Sequence, residues 1–131
     1  MLTDDANSVE ALRARQATLK IGKKSGLARI VDLTTCEPAA GDEDVELLSG
    51  LARLDQLNLS GSTITDACMP TIGKMEHLTS LDLQNTAISD DGLKELETLQ
   101  KLKLLQLRGT KVTADGVRAI RPAMLQTRIV S

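Results

Sequence analysis

Apolar residues recur along this chain at a fixed step. Leu54, Leu78 and Leu102 lie 24 residues apart, as do Leu57, Leu81 and Leu105, and Leu59, Leu83 and Leu107. Ile64, Ile88 and Val112 keep the same step, and so do Ile72, Leu96 and Ile120. Within each step the spacing changes character. In "LTSLDL", Leu81 and Leu83 alternate with Ser80 and Asp82, the period of a short strand with one buried face. Leu93, Leu96 and Leu99 lie three apart, on one side of a helix. Strand face and helix face must cover each other, and no single unit can bury its leucines alone. The units therefore stack into an α/β solenoid with a parallel strand face and helices on the other side.

The links between strand and helix carry their own signals. Gly61, Asn85 and Gly109 follow the strands and tolerate a positive φ, so a sharp turn belongs there. The next residues, Ser62, Thr86 and Thr110, together with Cys36 upstream, form a ladder of small polar side chains. They are expected to point inward and bond turn amides of a neighbouring coil. Thr65-Asp66, Ser89-Asp90 and Thr113-Ala114 then read as helix starts, with the hydroxyl as cap and the acid at the N-terminus of the helix.

"LDLQNTAISDDGLKEL" and "LQLRGTKVTADGVRAI" resemble bacterial leucine-rich repeats of the LDLSGTxITDxGLxxL type, close to the cysteine-containing class found in F-box receptors. The resemblance covers roughly residues 28–131. It implies a right-handed β-α superhelix that serves as a scaffold with varied partners.

Residues 1–27 break the repeat and read as an N-terminal cap, and residues 28–131 as about four coils and a terminal strand. Ser8 to Gln16 reads as a helix capped by Ser8, Thr18 to Ile21 as a strand, Gly22 to Gly26 as a turn, and Leu27 to Leu33 as the next strand. Val31 and Leu33 precede Leu57 and Leu59 by 26 residues, so two extra residues lie in the loop around Pro38 and Gly41. Pro70 shortens or distorts the helix of the second repeat. Cys68 stands where the next two repeats have Gly92 and Gly116. Thr127 to Val130 is expected to add a last strand.

Composition removes most chemistry. The 131 residues include no Phe, Tyr or Trp and carry a net charge of −2. The core must be aliphatic, no aromatic anchor is available for a binding hot spot, and nucleic acid has neither long-range attraction nor a stacking platform. No segment is apolar enough to span a membrane, so the protein is expected to be cytoplasmic or an exported piece lacking its leader. Cys36 and Cys68 read as reduced thiols, without CxxC or CxxH spacing for zinc. Asp42, Glu43, Asp44 and Glu46 complement a helix N-terminus, so no metal and no cofactor is expected. His77, the single histidine, has no nucleophile at a readable spacing and belongs to the surface. Acids crowd the stretch from Asp32 to Glu46 and bases the stretch from Lys101 to Arg128, which predicts a polarity from one end of the stack to the other.

Function then falls to the outward residues of the strands. One row is Asp32, Asn58, Asp82 and Gln106; a second includes Gln56 and Ser80; a third includes Gln84 and Arg108. The leucine scaffold sets no demand on these positions, so they are expected to bind. Asp32 and Asp82 lie two strands apart, roughly 10 Å, too far for a glycosidase pair. The sequence thus predicts a non-catalytic protein-protein interaction module. Its alternative is a structural segment of a longer solenoid, or a unit with weak end-to-end self-association. The mixed acidic row predicts a basic or amide-rich partner.

Overall fold

The computed structural model describes residues 4–131. Six strands form one sheet in chain order: β1 (Thr18–Ile21), β2 (Ala28–Asp32), β3 (Gln56–Asn58), β4 (Ser80–Asp82), β5 (Leu104–Gln106) and β6 (Arg128–Val130). β1 runs antiparallel to β2, with an irregularity between Lys20 and Ile21; every later pairing is parallel. The register follows the repeat, so Val31, Leu57, Leu81, Leu105 and Ile129 are matched across the sheet.

Backbone bonds extend the sheet into the turns. The amides of Leu33, Leu59, Leu83 and Leu107 donate to the carbonyls of Asn58, Asp82, Gln106 and Val130. Gly61 and Gly109 hold φ of 72° and 75°, and Asn85 holds 57°. The left-handed turn read from the sequence is therefore made, by glycine twice and by asparagine once, the non-glycine residue best suited to it.

The opposite layer is helical but abrupt. α1 (Ala6–Ala14), α2 (Asp42–Leu47), α3 (Met69–Ile72), α4 (Asp90–Leu93) and α5 (Ala114–Ile120) are short, and 3₁₀ turns adjoin the last four, as over Lys94–Thr98 after α4. Pro70 sits in the first turn of α3, where its missing N–H costs nothing, and a 3₁₀ turn over Asp66–Cys68 leads into it. α1 starts two residues before the expected position. Its N-cap is Asp5 rather than Ser8, and Ser8 Oγ instead donates to the Asp5 carboxylate at 2.9 Å. β6 begins at Arg128, one residue late, because Thr127 turns inward and donates to Leu102 O at 2.6 Å.

One continuous aliphatic core runs between the layers, from Leu12 of α1 through Val31, Leu57, Leu81 and Leu105 to Ile120 and Met124. The N-terminal segment is fastened to it by polar bonds. Asp4 accepts from the amides of Ala28 (2.7 Å) and Ala52 (2.8 Å). Arg15 pairs with the buried Asp44 at 2.8 Å and donates to the carbonyls of Glu37 and Pro38, holding the long loop of the first coil. Burial pushes the Asp44 carboxyl up. The bonds from Arg15 and from the Gly41 amide outweigh this and leave it below the usual range.

Candidate binding face

The parallel register brings the outward side chains into rows. Asp32, Asn58, Asp82 and Gln106 are matched in turn across the strands, and Val130 completes the row. Ile30, Gln56, Ser80, Leu104 and Arg128 form the row beside it. Between these rows lies a shallow depression of about 190 Å³, lined by Asp32, Gln56, Asn58, Ser80, Asp82 and Gln106 among others. Gln84 and Arg108 follow Asp82 and Gln106 by two residues along the chain.

The first row is not free of the scaffold. Asp32, Asn58 and Asp82 each accept a hydrogen bond from the amide two residues on: Thr34 N at 2.8 Å, Ser60 N at 3.0 Å and Gln84 N at 3.0 Å. Each is an Asx turn that closes the end of its strand, and this is why Asp or Asn recurs there. The expectation that the leucine scaffold leaves these positions unconstrained is therefore wrong for three of the four. Gln106 is different. Its Oε1 accepts from Gln84 Nε2 at 3.0 Å, and that amide also donates to Asp82 at 3.1 Å. Gln56, Ser80 and Arg108 have no side-chain hydrogen bond among the described residues.

The turn ladder also differs from its expected wiring. Cys36, Ser62 and Thr86 are buried and Thr110 is half-buried. Thr86 Oγ1 donates to Leu83 O at 2.7 Å and Thr110 Oγ1 to Leu107 O at 2.6 Å. Both acceptors lie three residues back on the same coil, not on a neighbour. The hydroxyl closes its own turn because the carbonyl of the last strand leucine is within its short reach. Ser62 Oγ is buried without a partner among the described residues.

Where the coils enter their helices, side-chain bonds between coils come instead from an acid relay, made by residues that the helix-start pattern alone would assign to helix dipoles. The carboxylate of Asp42 accepts from Thr65 N and Thr65 Oγ1 at 2.7 and 2.6 Å. Asp66 does the same for Ser89, with the amide at 2.8 Å, and Asp90 for Thr113 at 2.8 and 2.6 Å. The signal is present in the sequence: Asp42, Asp66 and Asp90 are themselves 24 apart, each followed 23 residues later by a hydroxyl residue. Gly92 and Gly116 complete the arrangement, since a Cβ there would stand 2.2 Å from Asp66 Oδ1 and 2.0 Å from Asp90 Oδ1. At the matching place on the first pair of coils, Cys68 lies beside Asp42. Burial, then the Asp42 carboxylate, push that thiol up to about 12. Burial pushes Asp42 up as well, but the bonds from Thr65 prevail and its carboxyl sits below the usual range.

His77 is half-buried at the surface, where it helps line a hollow of about 350 Å³ with Glu46, Thr71 and Lys74. One further expectation is revised. The acidic coil is not the end of the stack, because the N-terminal segment beyond it carries exposed Arg13, Lys23 and Lys24. Charge runs basic, acidic, basic along the solenoid, not from one pole to the other. Cys36 and Cys68 are free thiols. Among the described residues no helix is long and apolar enough to cross a membrane.

Comparison with known proteins agrees with this geometry. Residues 74–96 and 98–120 match a family model described as Leucine Rich repeat. A solved leucine-rich repeat protein of Leptospira interrogans superposes with a TM-score of 0.52 at 23% identity. The superposition covers 66% of this chain and 21% of that one, so the chain spans about a fifth of the length of its structural neighbour. No curated protein matches the chain. Its period, parallel register and left-handed turns coincide with the two repeats that the family model matches, and the fold is that of a short leucine-rich repeat solenoid.

Proposed function

We propose that the chain is a non-catalytic protein-protein interaction module that binds through its strand face. Leucine-rich repeats commonly serve this purpose, and their fold is generally non-enzymatic. The observation that carries the reading is the set of outward positions without a scaffold partner among the described residues. Gln56 and Ser80 stand in register on parallel strands around a shallow depression, and Arg108 lies two residues beyond Gln106 of its lining, none with a side-chain bond to the described residues. Asp32 and Asp82 each commit a carboxylate oxygen to their own turns, which supports a scaffold rather than a pair of acids poised for chemistry. We read residues 1–27 as a cap and 28–131 as the repeats. The motif "LDLQNTAISDDGLKEL" supports placing them beside bacterial repeats of the LDLSGTxITDxGLxxL type.

The test is capture of a partner followed by substitution of Gln56→Trp and Ser80→Trp. Both sites point outward, so the melt stays near wild type while capture is lost. Capture that survives this pair, but fails when Glu43 and Glu46 on α2 become lysine, moves the contact to the helical side and refutes the reading.

A further inference from the structure

The strand face changes character along the sheet, and the change runs opposite to the partner chemistry read from the sequence. Over β2 and β3 the bases are already matched: Arg29 and Arg53 both pair with Asp55. Asp32 and Asp82 carry the acidic charge of the face, each with an oxygen bound by its Asx turn. Over β5 and β6 the balance reverses. Lys103, Arg108 and Arg128 are exposed and make no ion pair or side-chain hydrogen bond among the described residues. Leu104, Gln106 and Val130 lie between the two arginines, half-buried and in register on the paired strands.

We propose that this half of the face binds an extended acidic segment of a partner protein, with carboxylates on Arg108 and Arg128 and an apolar side chain over Leu104 and Val130. The proposal rests on the strand-face reading and adds the partner's chemistry. Arg108 lies four residues along from the row of Leu104 and Arg128, and one strand across. Arg108 sits in the turn just past the end of β5, so strand rise and spacing bound the separation of the two arginine backbones at roughly 14 Å. That is about four residues of extended chain, so acids at i and i+4 reach both guanidiniums while the residues between them cross the apolar strip. Arginine suits the task, because its planar fork takes a carboxylate in two parallel bonds. A nucleic acid fits less well. The chain has no aromatic side chain for a base to stack on, and Asp82 borders the patch where a phosphate backbone would continue.

The test uses the whole chain and three fluorescein-labelled probes: a short peptide alternating glutamate with threonine and leucine, the same peptide with lysine for glutamate, and a short oligothymidylate. Anisotropy is read at low salt and along a salt titration. The expected result is preferential binding of the glutamate peptide, weakened by salt. Arg108→Glu with Arg128→Glu lowers its affinity roughly tenfold or more with the melt unchanged. Two results overturn the proposal while leaving the strand face as the site. One is preference for the lysine peptide, lost in Gln56→Trp. The other is oligothymidylate binding as tight as the glutamate peptide and equally lost on the double reversal. If none of the probes responds to either variant, the proposal and the strand-face reading fall together.

Discussion

Gly92 tests the acid relay directly, because two opposing effects meet at one atom. In an exposed helix, Gly→Ala gains about 0.5–1 kcal/mol from the lower entropy of the unfolded chain. Gly92 lies buried within α4, and an added Cβ there meets Asp66 Oδ1 at 2.2 Å, Asp66 Cγ at 2.9 Å and Met69 Cγ at 2.9 Å. Met69 is itself wholly buried, and the carboxylate, which stands closest, is held by Ser89 N and Oγ. Overpacking of this kind costs about 1–3 kcal/mol, so Gly92→Ala should destabilise despite its helix propensity. Asp66→Ala removes two hydrogen bonds to a half-buried carboxylate, worth about 2–3 kcal/mol together at the lower end of the charged range. In the double variant the alanine meets no carboxylate, and its cost should fall to what the Met69 contact leaves. Urea unfolding followed by far-UV circular dichroism measures all four corners of the cycle. The two changes should fall short of additivity by about 1–3 kcal/mol. Additivity within roughly 0.5 kcal/mol would refute the assignment, because the cost of Gly92→Ala would then arise somewhere other than Asp66.

Leu81, wholly buried between neighbouring strands, should not accept Leu81→Asp; loss of the cooperative thermal transition is expected, and a near-wild-type melt would contradict the stacked core. Cys68, buried and pushed up to about 12, should resist a thiol reagent in the folded protein at neutral pH, and both Cys36 and Cys68 should react once urea unfolds it. Asp42 and Asp44 sit below the usual carboxylate range when folded. Their stabilisation is therefore complete above the unfolded value, near 4, and is lost as pH falls through the lower folded values; Asp42→Asn should flatten the acid limb of a stability–pH curve. Asn58→Ala should cost about 1 kcal/mol through loss of the bond from Ser60 N, measured by the same urea titration, whereas Gln56→Ala should cost close to nothing.

The architecture is readable because the core obeys one period. Leu57, Leu81 and Leu105 announce the strands, and Gly61, Asn85 and Gly109 announce the turns, since few residues accept that backbone. What escapes is the direction of polar side chains. Asp66 stands where an acid helps any helix start, and nothing local reveals that its oxygens reach Ser89 on the next coil. Only the 24-residue recurrence of the Asp with its hydroxyl partner could reveal it. Asp82 likewise looks free when only the strand period is counted; its bond to Gln84 N depends on how the chain leaves the strand. On the face itself, the charge of Arg108 and Arg128 is visible in the sequence. That Arg29 joins Arg53 on Asp55 is not, because the Arg29 pairing depends on register between strands.

The relay also bears on how the chain finds its fold. Its bonds join residues 23 apart, from Asp42 to Thr65, Asp66 to Ser89 and Asp90 to Thr113. Each closes a loop of the same length, so each costs about the same entropy, and none must wait for distant parts of the chain to meet. Folding can begin at any adjacent pair of coils and spread outward in equal steps, as in a one-dimensional chain of coupled units. The tie between Asp4 and Ala52, at a separation of 48, spans twice that distance. It should form last and open first, which makes α1 the place where amide exchange would first report local opening.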